Sequence, residues 1–507
     1  MKIKRIAIVG GGNAGWIAAN HLGVELFRDP DIEITVIESK DVPVIGVGEG
    51  TIPLICNSLQ SFGIGERDLL VQCDATFKTG IKFSNWMDAK KYGKDNFYYH
   101  TFEAPYPSGY DFTYYWLGNK SIADYSEFSI TYNIAEKNRC PKRKDSPAYK
   151  GLVNYAYHFD AAKFSLLLAD NAKKRFGIKH IYETIKEVVL HDDGSIKGFQ
   201  YSSGKHEEFD FYIDCSGFAS LLSGKTLNVP FVDKSNQILT DSALALQVST
   251  SPDEDIFPYT RSVAHGAGWI WDIPLTTRRG TGLVYSSRHM SDDEALREFS
   301  LYHGRDLETS TVRKIPMKAG YRKNMWEKNC VTLGLAQGFV EPLEATSLFM
   351  TDFCASMIAK KFPVNKEEIP LYAKSSNETA QFLWERIFDF IQVHYCISDR
   401  RDTQFWCDVT EGVEMSDLLK ERLALWQYSS PQRTDFYSAF DFFNTGSYQS
   451  VLYGMNYPTR APMVSEKVGK FAEKAIMEHL TSAKQLADSL MPQRAYFTEL
   501  KEYMSKK

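Results

Sequence analysis

Short apolar runs alternate with a glycine turn and a helical pattern over the first forty residues. Residues 6–9 form a fully apolar run of the kind found in a parallel strand covered on both faces. Residues 14–27 carry apolar positions at helical spacing, and residues 34–37, Ile-Thr-Val-Ile, form a second parallel strand. The pattern predicts a β-α-β unit with a right-handed crossover.

The apolar pattern changes character further along the chain. Alternating, aromatic-rich residues 77–83 and 97–102 predict strands of a different sheet. Helical spacing at residues 161–176 is followed by two strand patterns, 185–190 and 196–201, which the Asp-Asp-Gly turn at 192–194 joins into a hairpin. Further strands are predicted at 213–217, 243–248, 269–273, 282–285 and 331–333. Beyond residue 345 the pattern is mainly helical, at 347–361, 378–394 and 467–480.

Composition and charge exclude several classes of protein. With 43% hydrophobic and 24% charged residues among 507, the chain is neither disordered nor a coiled coil. A net charge of −5 argues against a nucleic-acid partner. Eight scattered cysteines without a C-x-x-C pair predict reduced thiols in the cytoplasm and no metal site. No stretch approaches about 18 uninterrupted apolar residues, so no membrane partner is expected.

The turn after the first strand reads G-x-G-x-x-G and opens a predicted helix. Glycine allows this tight turn and lets backbone N–H groups approach a pyrophosphate at the helix N-terminus. Glu38, at the end of the next strand, is the expected partner of a ribose hydroxyl. The turn supplies the candidate cofactor-binding residues Gly10, Gly12, Asn13, Ala14 and Gly15.

Further glycine-bearing segments favour FAD over NAD. Residues 46–53 include Gly48 and Glu49, and form either a cofactor contact or an ordinary loop. Two later strands end at residues 214–217 and 334–338, and Gly338 is a cofactor candidate there. Several such strand ends suit a long cofactor lying across one sheet. Because the sequence holds a single G-x-G-x-x-G turn, we expect a separate flavin reductase to supply reduced FAD.

These patterns predict an α/β fold in which a Rossmann-like parallel sheet is interleaved with a second β-sheet. Residues 1–360 form the FAD-binding module, with cofactor segments near 6–56, 155–220 and 330–350. A substrate-side sheet is interleaved with it, near 76–150 and 225–325. Residues 361–507 form a mainly helical region that covers the substrate. A homo-oligomer is left open.

Several polar and aromatic residues have both a packing and a chemical interpretation. Trp269 and Trp271 lie two apart on a strand that ends at Pro274, so they are either core or a partition of two stacked indoles. Lys78 is either an exposed strand residue or an amine in an apolar tunnel, and Lys82 shares its strand face. A glutamate at position 344 is either a first-turn residue stabilised by the helix dipole or a functional carboxylate.

Much of the chain resembles the flavin-dependent tryptophan halogenase family. The resemblance rests on residues 10–16, 76–78, 155–160, 338–344 and the W-x-W-x-I-P segment at 269–274. It extends through 394–395 and 401–403 to 454–455 and Pro458, or about nine tenths of the chain. It implies that reduced FAD, O2 and a halide make hypohalous acid, which travels through a tunnel to a small, electron-rich aromatic substrate.

The resemblance also implies roles for individual residues. Lys78 and Glu344 are the implied catalytic pair, and the ammonium or a halogenated amine of Lys78 could carry the oxidant. Thr346 and Ser347 correspond to the halide and flavin contact, where weak binding of about 0.3–1 kcal/mol is expected of backbone N–H groups. His100 and Phe102 correspond to positions that border the arene.

The chain departs from the family pattern in two places. Ala-Thr-Ser follows the glutamate, where the family has Ser-Thr-Gly, so chloride, bromide and iodide all stay open. Residues 442–448 offer no carboxylate to grip an amino acid, which argues against free tryptophan and favours an indole or phenol. The alternatives to halogenation are an aromatic hydroxylase that uses FAD and a flavin-binding protein without turnover.

Overall fold

The computed structural model describes residues 2–41 and 48–506. Gly46 and Val47 of the second glycine segment lie outside the described residues. The strands, in chain order, are β1 (Arg5–Val9), β2 (Glu33–Glu38), β3 (Gly48–Gly50), β4 (Thr76–Lys78), β5 (Gly80–Ser84), β6 (Phe97–Thr101), β7 (Ala156–Asp160), β8 (Lys179–Tyr182), β9 (Ile185–Leu190), β10 (Ile196–Tyr201), β11 (His206–Glu208), β12 (Phe211–Asp214), β13 (Phe231–Asp233), β14 (Ser242–Ser249), β15 (Thr260–His265), β16 (Gly268–Pro274), β17 (Arg278–Tyr285), β18 (Arg313–Pro316), β19 (Gly320–Arg322), β20 (Trp326–Glu327), β21 (Cys330–Thr332) and β22 (Gly338–Phe339).

Helices are interspersed with these strands and then dominate the C-terminal third. In chain order they are α1 (Asn13–Leu26), α2 (Leu54–Phe62), α3 (Glu66–Gln72), α4 (Ala89–Tyr92), α5 (Thr113–Trp116), α6 (Tyr132–Glu136), α7 (Ala161–Phe176), α8 (Asp292–His303), α9 (Thr346–Lys360), α10 (Ile369–Cys396), α11 (Gln404–Glu411), α12 (Asp417–Trp426), α13 (Thr445–Gly454), α14 (Glu466–Ser489) and α15 (Gln493–Ser505).

A six-stranded sheet carries the predicted β-α-β unit. Its order is β20-β21-β12-β1-β2-β8, and every pairing is parallel except that of β20 with β21. The strand β1 is buried on both faces, as its unbroken apolar run predicts. The helix α1 packs against α7 and α9. The predicted parallel pairing of β1 and β2 is confirmed.

The second large sheet has seven strands in the order β18-β14-β17-β16-β15-β5-β6. Its central strand β16 is buried along its whole length. Opposite Trp271 lies Gly282, where a Cβ atom would come within 2.0 Å of the indole. Glycine there gives the Trp271 ring its space. A mixed α/β fold with a second sheet and a helical C-terminal region is therefore confirmed.

The predicted strand at 77–83 is in fact two strands in two sheets. The break between the two strands is at Thr79, whose N–H donates to the Pro258 carbonyl at 2.7 Å. Before the break β4 pairs with β7, and after it β5 joins β6 and β15. The prediction that Lys82 shares a strand face with Lys78 is therefore wrong, because an alternating apolar pattern does not reveal a change of sheet.

Of the other predicted elements, a hairpin and one helix agree with the structure, and another helix begins earlier than predicted. The hairpin of β9 and β10 is antiparallel, and α7 has the bounds predicted for it. The helix α10 begins at Ile369, nine residues before the predicted start. Within the described residues, no helix combines the length and apolarity that crossing a membrane requires. The division of the chain into modules stays a prediction.

Candidate functional site

The glycine turn between β1 and α1 has no room for side chains on its inner side. At Gly10, where φ is +116°, a Cβ atom would lie 2.2 Å from the Cys215 carbonyl oxygen. At Gly15 a Cβ atom would lie 1.9 Å from the Gly10 carbonyl oxygen. Both contacts are shorter than atoms allow, so the sequence pattern here reflects close backbone packing.

On its outer side the same turn is open and polar. A Cβ atom at Gly12 would meet nothing within 4 Å among the described residues. Gly12 precedes α1, and no side chain of the described chain caps that helix N-terminus. The Oδ1 atom of Asn13 is buried without a hydrogen-bond partner in the same part of the structure. Free N–H groups at an open helix N-terminus fit a phosphate, so the turn can hold a dinucleotide.

Glu38 lies directly beside the glycine turn. Its carboxylate is 2.3 Å from the position that a Cβ atom would take at Gly11. The Oε2 atom is 2.8 Å from Nε2 of His180, which holds the side chain in place. This placement, at the end of β2, is the one predicted for a ribose partner.

The turn adjoins the later glycine segment at residues 334–338. A Cβ atom at Gly334, where φ is +63°, would lie 2.7 Å from Cβ of Ala14. Gly338 has a different reason to be small, because a Cβ atom there would lie 2.7 Å from Tyr321 Cβ and 2.9 Å from the Trp384 ring. The contacts of Gly338 therefore explain this glycine by packing, without a cofactor.

Two cavities lie on either side of residues 342–345. The Lys78 cavity, of about 150 Å³, is lined by residues including Gly48, Glu49, Gly50, Lys78, Thr260, Trp271, Leu335 and Ser347. The Glu344 cavity, of about 720 Å³, is lined by residues including His100, Phe102, Glu103, Lys150, Glu344, Phe442 and Phe443. Leu335 connects the Lys78 cavity to the glycine turn through its neighbour Gly334.

A single turn of chain forms part of the wall between the two cavities. Pro342, Leu343 and Ala345 line the Lys78 cavity, whereas Glu344 lines the other one. Ala345 has the left-handed φ of 55° and directly precedes α9. This turn aims the Glu344 side chain away from the cavity that its neighbours line.

Lys78 is buried at the end of β4. Its Nζ atom has no hydrogen-bond partner in the described chain and lies 5.5 Å from the centre of the Phe102 ring, which lines the Glu344 cavity. Burial lowers the pKa of Lys78 to about 8, and the negative charge of Glu344 opposes that shift. The exposed-strand interpretation of Lys78 is therefore wrong.

Glu344 is held between two histidines. Nδ1 of His100 lies 2.9 Å from Oε2, and Nε2 of His394 lies 3.0 Å from Oε1. The hydroxyl of Tyr98 is 2.7 Å from Nδ1 of His394 and fixes that ring. Burial alone would raise the pKa of Glu344, but His100 and His394 outweigh it and lower that pKa to about 2. The carboxylate is therefore charged at neutral pH.

The halide candidates open α9. Thr346 is buried, and Ser347 lines the Lys78 cavity. The hydroxyl oxygens of both are buried without a hydrogen-bond partner among residues 2–41 and 48–506. Two unpaired hydroxyls and the N-terminal N–H groups of a helix form a set of donors that suits an anion.

The two tryptophans of β16 are placed differently from the prediction. Their ring centres are 6.3 Å apart and their planes are tilted by 60°, so the indoles are not stacked. Trp271 lines the Lys78 cavity, while Trp269 is buried in the core. Pro274 ends β16, and its carbonyl accepts a hydrogen bond of 2.6 Å from Thr76. Trp271 is thus the indole of this pair that faces the cavity.

Four side chains at the cavities were missed by the sequence analysis. Thr260 lines the Lys78 cavity beside buried His158, and Glu103 and Lys150 line the Glu344 cavity. His158 lies in the family-like segment 155–160, which offered a signal. The others lie on loops and strand ends with no local pattern. Burial raises the pKa of Glu49, which lines the Lys78 cavity, to about 7.

Comparison with known proteins assigns the chain to a family. The model of the tryptophan halogenase family matches residues 5–469. The chain belongs to the tryptophan halogenase family. Tryptophan 7-halogenase RebH of Lentzea aerocolonigenes is 34% identical over 490 residues, which cover 91% of each chain. Tryptophan 6-halogenase SttH of Streptomyces toxytricini is 31% identical and covers 98% of both.

Solved structures of halogenases share the fold of this family member. A tryptophan halogenase from Shewanella frigidimarina has a TM-score of 0.93 at 34% identity, covering 99% of this chain and 98% of that one. The flavin-dependent halogenase BrvH from Brevundimonas sp. BAL3 has a TM-score of 0.88 at 30% identity, covering 98% and 99%. The protein is accordingly an FADH2-dependent halogenase, with FAD as cofactor and a halide as substrate.

Proposed function

We propose that this halogenase acts on an electron-rich arene of the indole or phenol type, bound in the Glu344 cavity, with Lys78 delivering the oxidant. The observation that carries the proposal is that Lys78 and Glu344 line two different cavities. The turn at residues 342–345, to which Glu344 belongs, forms part of the wall between them. An arene in one cavity would be reached from the other only by a small oxidant. Reaction in two cavities favours halogenation over direct hydroxylation.

The glycine turn and Glu38 would hold the cofactor. Reduced FAD, when bound, supplies the two-electron reduction of O2 that converts halide into hypohalous acid. The single G-x-G-x-x-G turn supports a separate flavin reductase as the source of FADH2. All eight cysteines are free thiols, which supports a reducing compartment such as the cytoplasm.

Lys78 is placed to hold hypohalous acid in its ammonium form. With a pKa of about 8, the side chain is mostly charged at neutral pH, and its three N–H groups lack partners in the described structure. An ammonium that donates to the oxygen of hypohalous acid draws electrons from the O–X bond and makes the halogen more electrophilic. The arene gains the halogen, the O–X bond breaks, and the departing hydroxide leaves as water with the proton that the Lys78 ammonium donates.

Glu344 acts in the second step of the same substitution, in which the halogenated ring loses a proton. Carbon attack leaves a cationic ring that must lose a proton. The carboxylate is charged at neutral pH, stabilises that cation and accepts the proton. His100 and His394 fix its direction through contacts at 2.9 and 3.0 Å. Thr346 and Ser347 would hold the halide on the opposite side of the turn.

The walls of the Glu344 cavity indicate the substrate. His100, Phe102, Phe442 and Phe443 provide aromatic surface for a planar ring. A volume of about 720 Å³ is within the range for drug-sized ligands and exceeds what a bare ring requires. Glu103 and Lys150 line the same cavity, and an ammonium and a carboxylate could pair with them. That pair makes free tryptophan the second candidate substrate.

The test is a product assay with matched lysine variants. The purified enzyme is supplied with FAD, a flavin reductase with NADH, O2 and either chloride, bromide or iodide. Indoles, phenols and free tryptophan are offered, and products are identified by mass spectrometry. We expect a halogenated arene from the wild type and from the control variant Lys82→Ala. In the wild type, Nζ of Lys82 lies 2.6 Å from Oε1 of Glu136, and Lys82 lines neither cavity. Lys78→Ala should form none.

Two outcomes would contradict the proposal. Product formed by Lys78→Ala at a rate near that of the wild type would remove Lys78 from the chemistry. A hydroxylated arene that forms equally well without halide would make the enzyme a hydroxylase.

A further inference from the structure

A chain of hydrogen-bonding groups runs from the Lys78 cavity into the core. Oγ1 of Thr260, in the cavity wall, lies 2.9 Å from Nε2 of His158. Nδ1 of His158 lies 3.4 Å from Oγ1 of Thr76, which itself donates to the Pro274 carbonyl at 2.6 Å. His158 and Thr76 are fully buried, and Thr260 is 6% exposed.

One assignment of donors and acceptors satisfies every hydrogen bond in this series of groups. Burial and the nearby charge of Lys78 lower the pKa of His158 well below its ordinary value, so the ring is neutral with one donor and one acceptor. Thr76 has committed its proton to Pro274 and can only accept from Nδ1 of His158. Nε2 must then accept from the hydroxyl of Thr260. The reverse tautomer would leave Nδ1 without a donor.

The consequence is that Thr260 presents lone pairs, not its proton, to the cavity. The position of Gly50 shows how close Lys78, Thr260 and His158 lie to one another. A Cβ atom at Gly50 would lie 3.2 Å from Nζ of Lys78, 3.4 Å from Oγ1 of Thr260 and 3.6 Å from Cδ2 of His158. An acceptor oxygen and a donor ammonium thus border the same small space.

We propose that Thr260 accepts the hydrogen bond from the O–H of hypohalous acid while Lys78 donates to its oxygen, and that His158 is a positioning residue that fixes the Thr260 hydroxyl. This inference rests on the proposed delivery of the oxidant by Lys78. Hypohalous acid has one O–H donor and an oxygen that accepts, so the two groups match both of its polar functions. The two contacts together orient the halogen.

The test compares an isosteric loss with a conservative rescue. Thr260→Val keeps the shape and removes the acceptor, whereas Thr260→Ser keeps the hydroxyl. The readout is the ratio of halogenated arene to FADH2 consumed, together with the oxidant that escapes into a soluble thioether trap. Because one hydrogen bond is lost, we expect Thr260→Val to lower the ratio about fivefold and raise the trapped oxidant. Thr260→Ser should retain at least half of the wild-type ratio.

A double-variant cycle separates positioning from packing. His158→Phe should lower the ratio, and adding it to Thr260→Val should lower it no further, because His158 acts through the threonine hydroxyl. FAD affinity, measured by quenching of flavin fluorescence, reports on whether each variant is folded. If Thr260→Val binds no FAD, Thr260→Ala replaces it, and the same fall in the ratio is expected.

The outcomes that overturn the inference are specific. Equal ratios for Thr260→Val and the wild type, or an equal loss in Thr260→Val and Thr260→Ser, would show that the hydroxyl holds no oxidant. Losses that add up in the double variant would assign His158 to packing alone. If the wild type forms neither halogenated arene nor trapped oxidant, the proposed function itself fails, and this inference fails with it.

Discussion

Replacing Lys78 by methionine should stabilise the protein while abolishing product. Methionine keeps the length and volume of the buried stem and removes a charge that has no hydrogen-bond partner in the described structure. The pKa of Lys78 falls from the ordinary 10.5 to about 8, a shift whose free-energy equivalent is about 3 kcal/mol. That figure is the part of the expected gain in the free energy of unfolding that comes from removing the charge. Glu344 stays paired with His100 and His394.

The gain has a defined dependence on pH. The folded pKa of Lys78 is lower than the unfolded one, so the unfolded chain binds more protons between about pH 8 and 10.5. Wild-type stability therefore rises with pH across this window. The advantage of Lys78→Met should be largest below pH 8 and disappear as the pH approaches 10.5, where the lysine is neutral in both states.

The assay is urea unfolding of the protein without FAD, followed by tryptophan fluorescence near pH 7 and near pH 10. Lys82→Met is the matched control, because it removes a partly exposed ion pair worth about 0–1 kcal/mol and should bring no gain. The reasoning would be refuted if Lys78→Met unfolded at the same or a lower urea concentration than the wild type near pH 7. An equal gain at both pH values would refute it as well.

Three further predictions concern activity. Gly50→Ala should lower the ratio of halogenated arene to FADH2 consumed, since its Cβ atom would lie 3.2 Å from Nζ of Lys78; an unchanged ratio would show that this space is not used. That ratio in the wild type should fall as the pH rises through about 8, where Lys78 loses its proton, and a rise measured across the same range would instead favour the free amine. Ser347→Ala should raise the KM for halide about tenfold or more with little change in kcat, because it removes a buried hydroxyl whose hydrogen bond to an anion contributes about 1.5–3 kcal/mol; steady-state kinetics with bromide, at saturating arene, would contradict this if KM did not move.

Local sequence was sufficient where function depends on one continuous segment. The turn at residues 10–15 could be predicted because close packing against backbone permits only glycine at Gly10 and Gly15, and Glu38 follows at a spacing that the β-α-β unit fixes. The helices α7 and α9 could be predicted from apolar spacing and a change of pattern at their ends. The proposed role of Lys78 rests on the family resemblance, because its local pattern favoured an exposed strand.

What the sequence by itself determined is therefore the glycine turn, the parallel β-α-β unit and the family. What only the tertiary structure decided is how distant segments meet. The break at Thr79 sends Lys78 and Lys82 into different sheets, and the left-handed Ala345 turns Glu344 away from the cavity of its neighbours. Thr260, His158 and Gly50 come together from three strands. Such contacts depend on chain packing over long sequence separations, which periodicity along one segment does not encode.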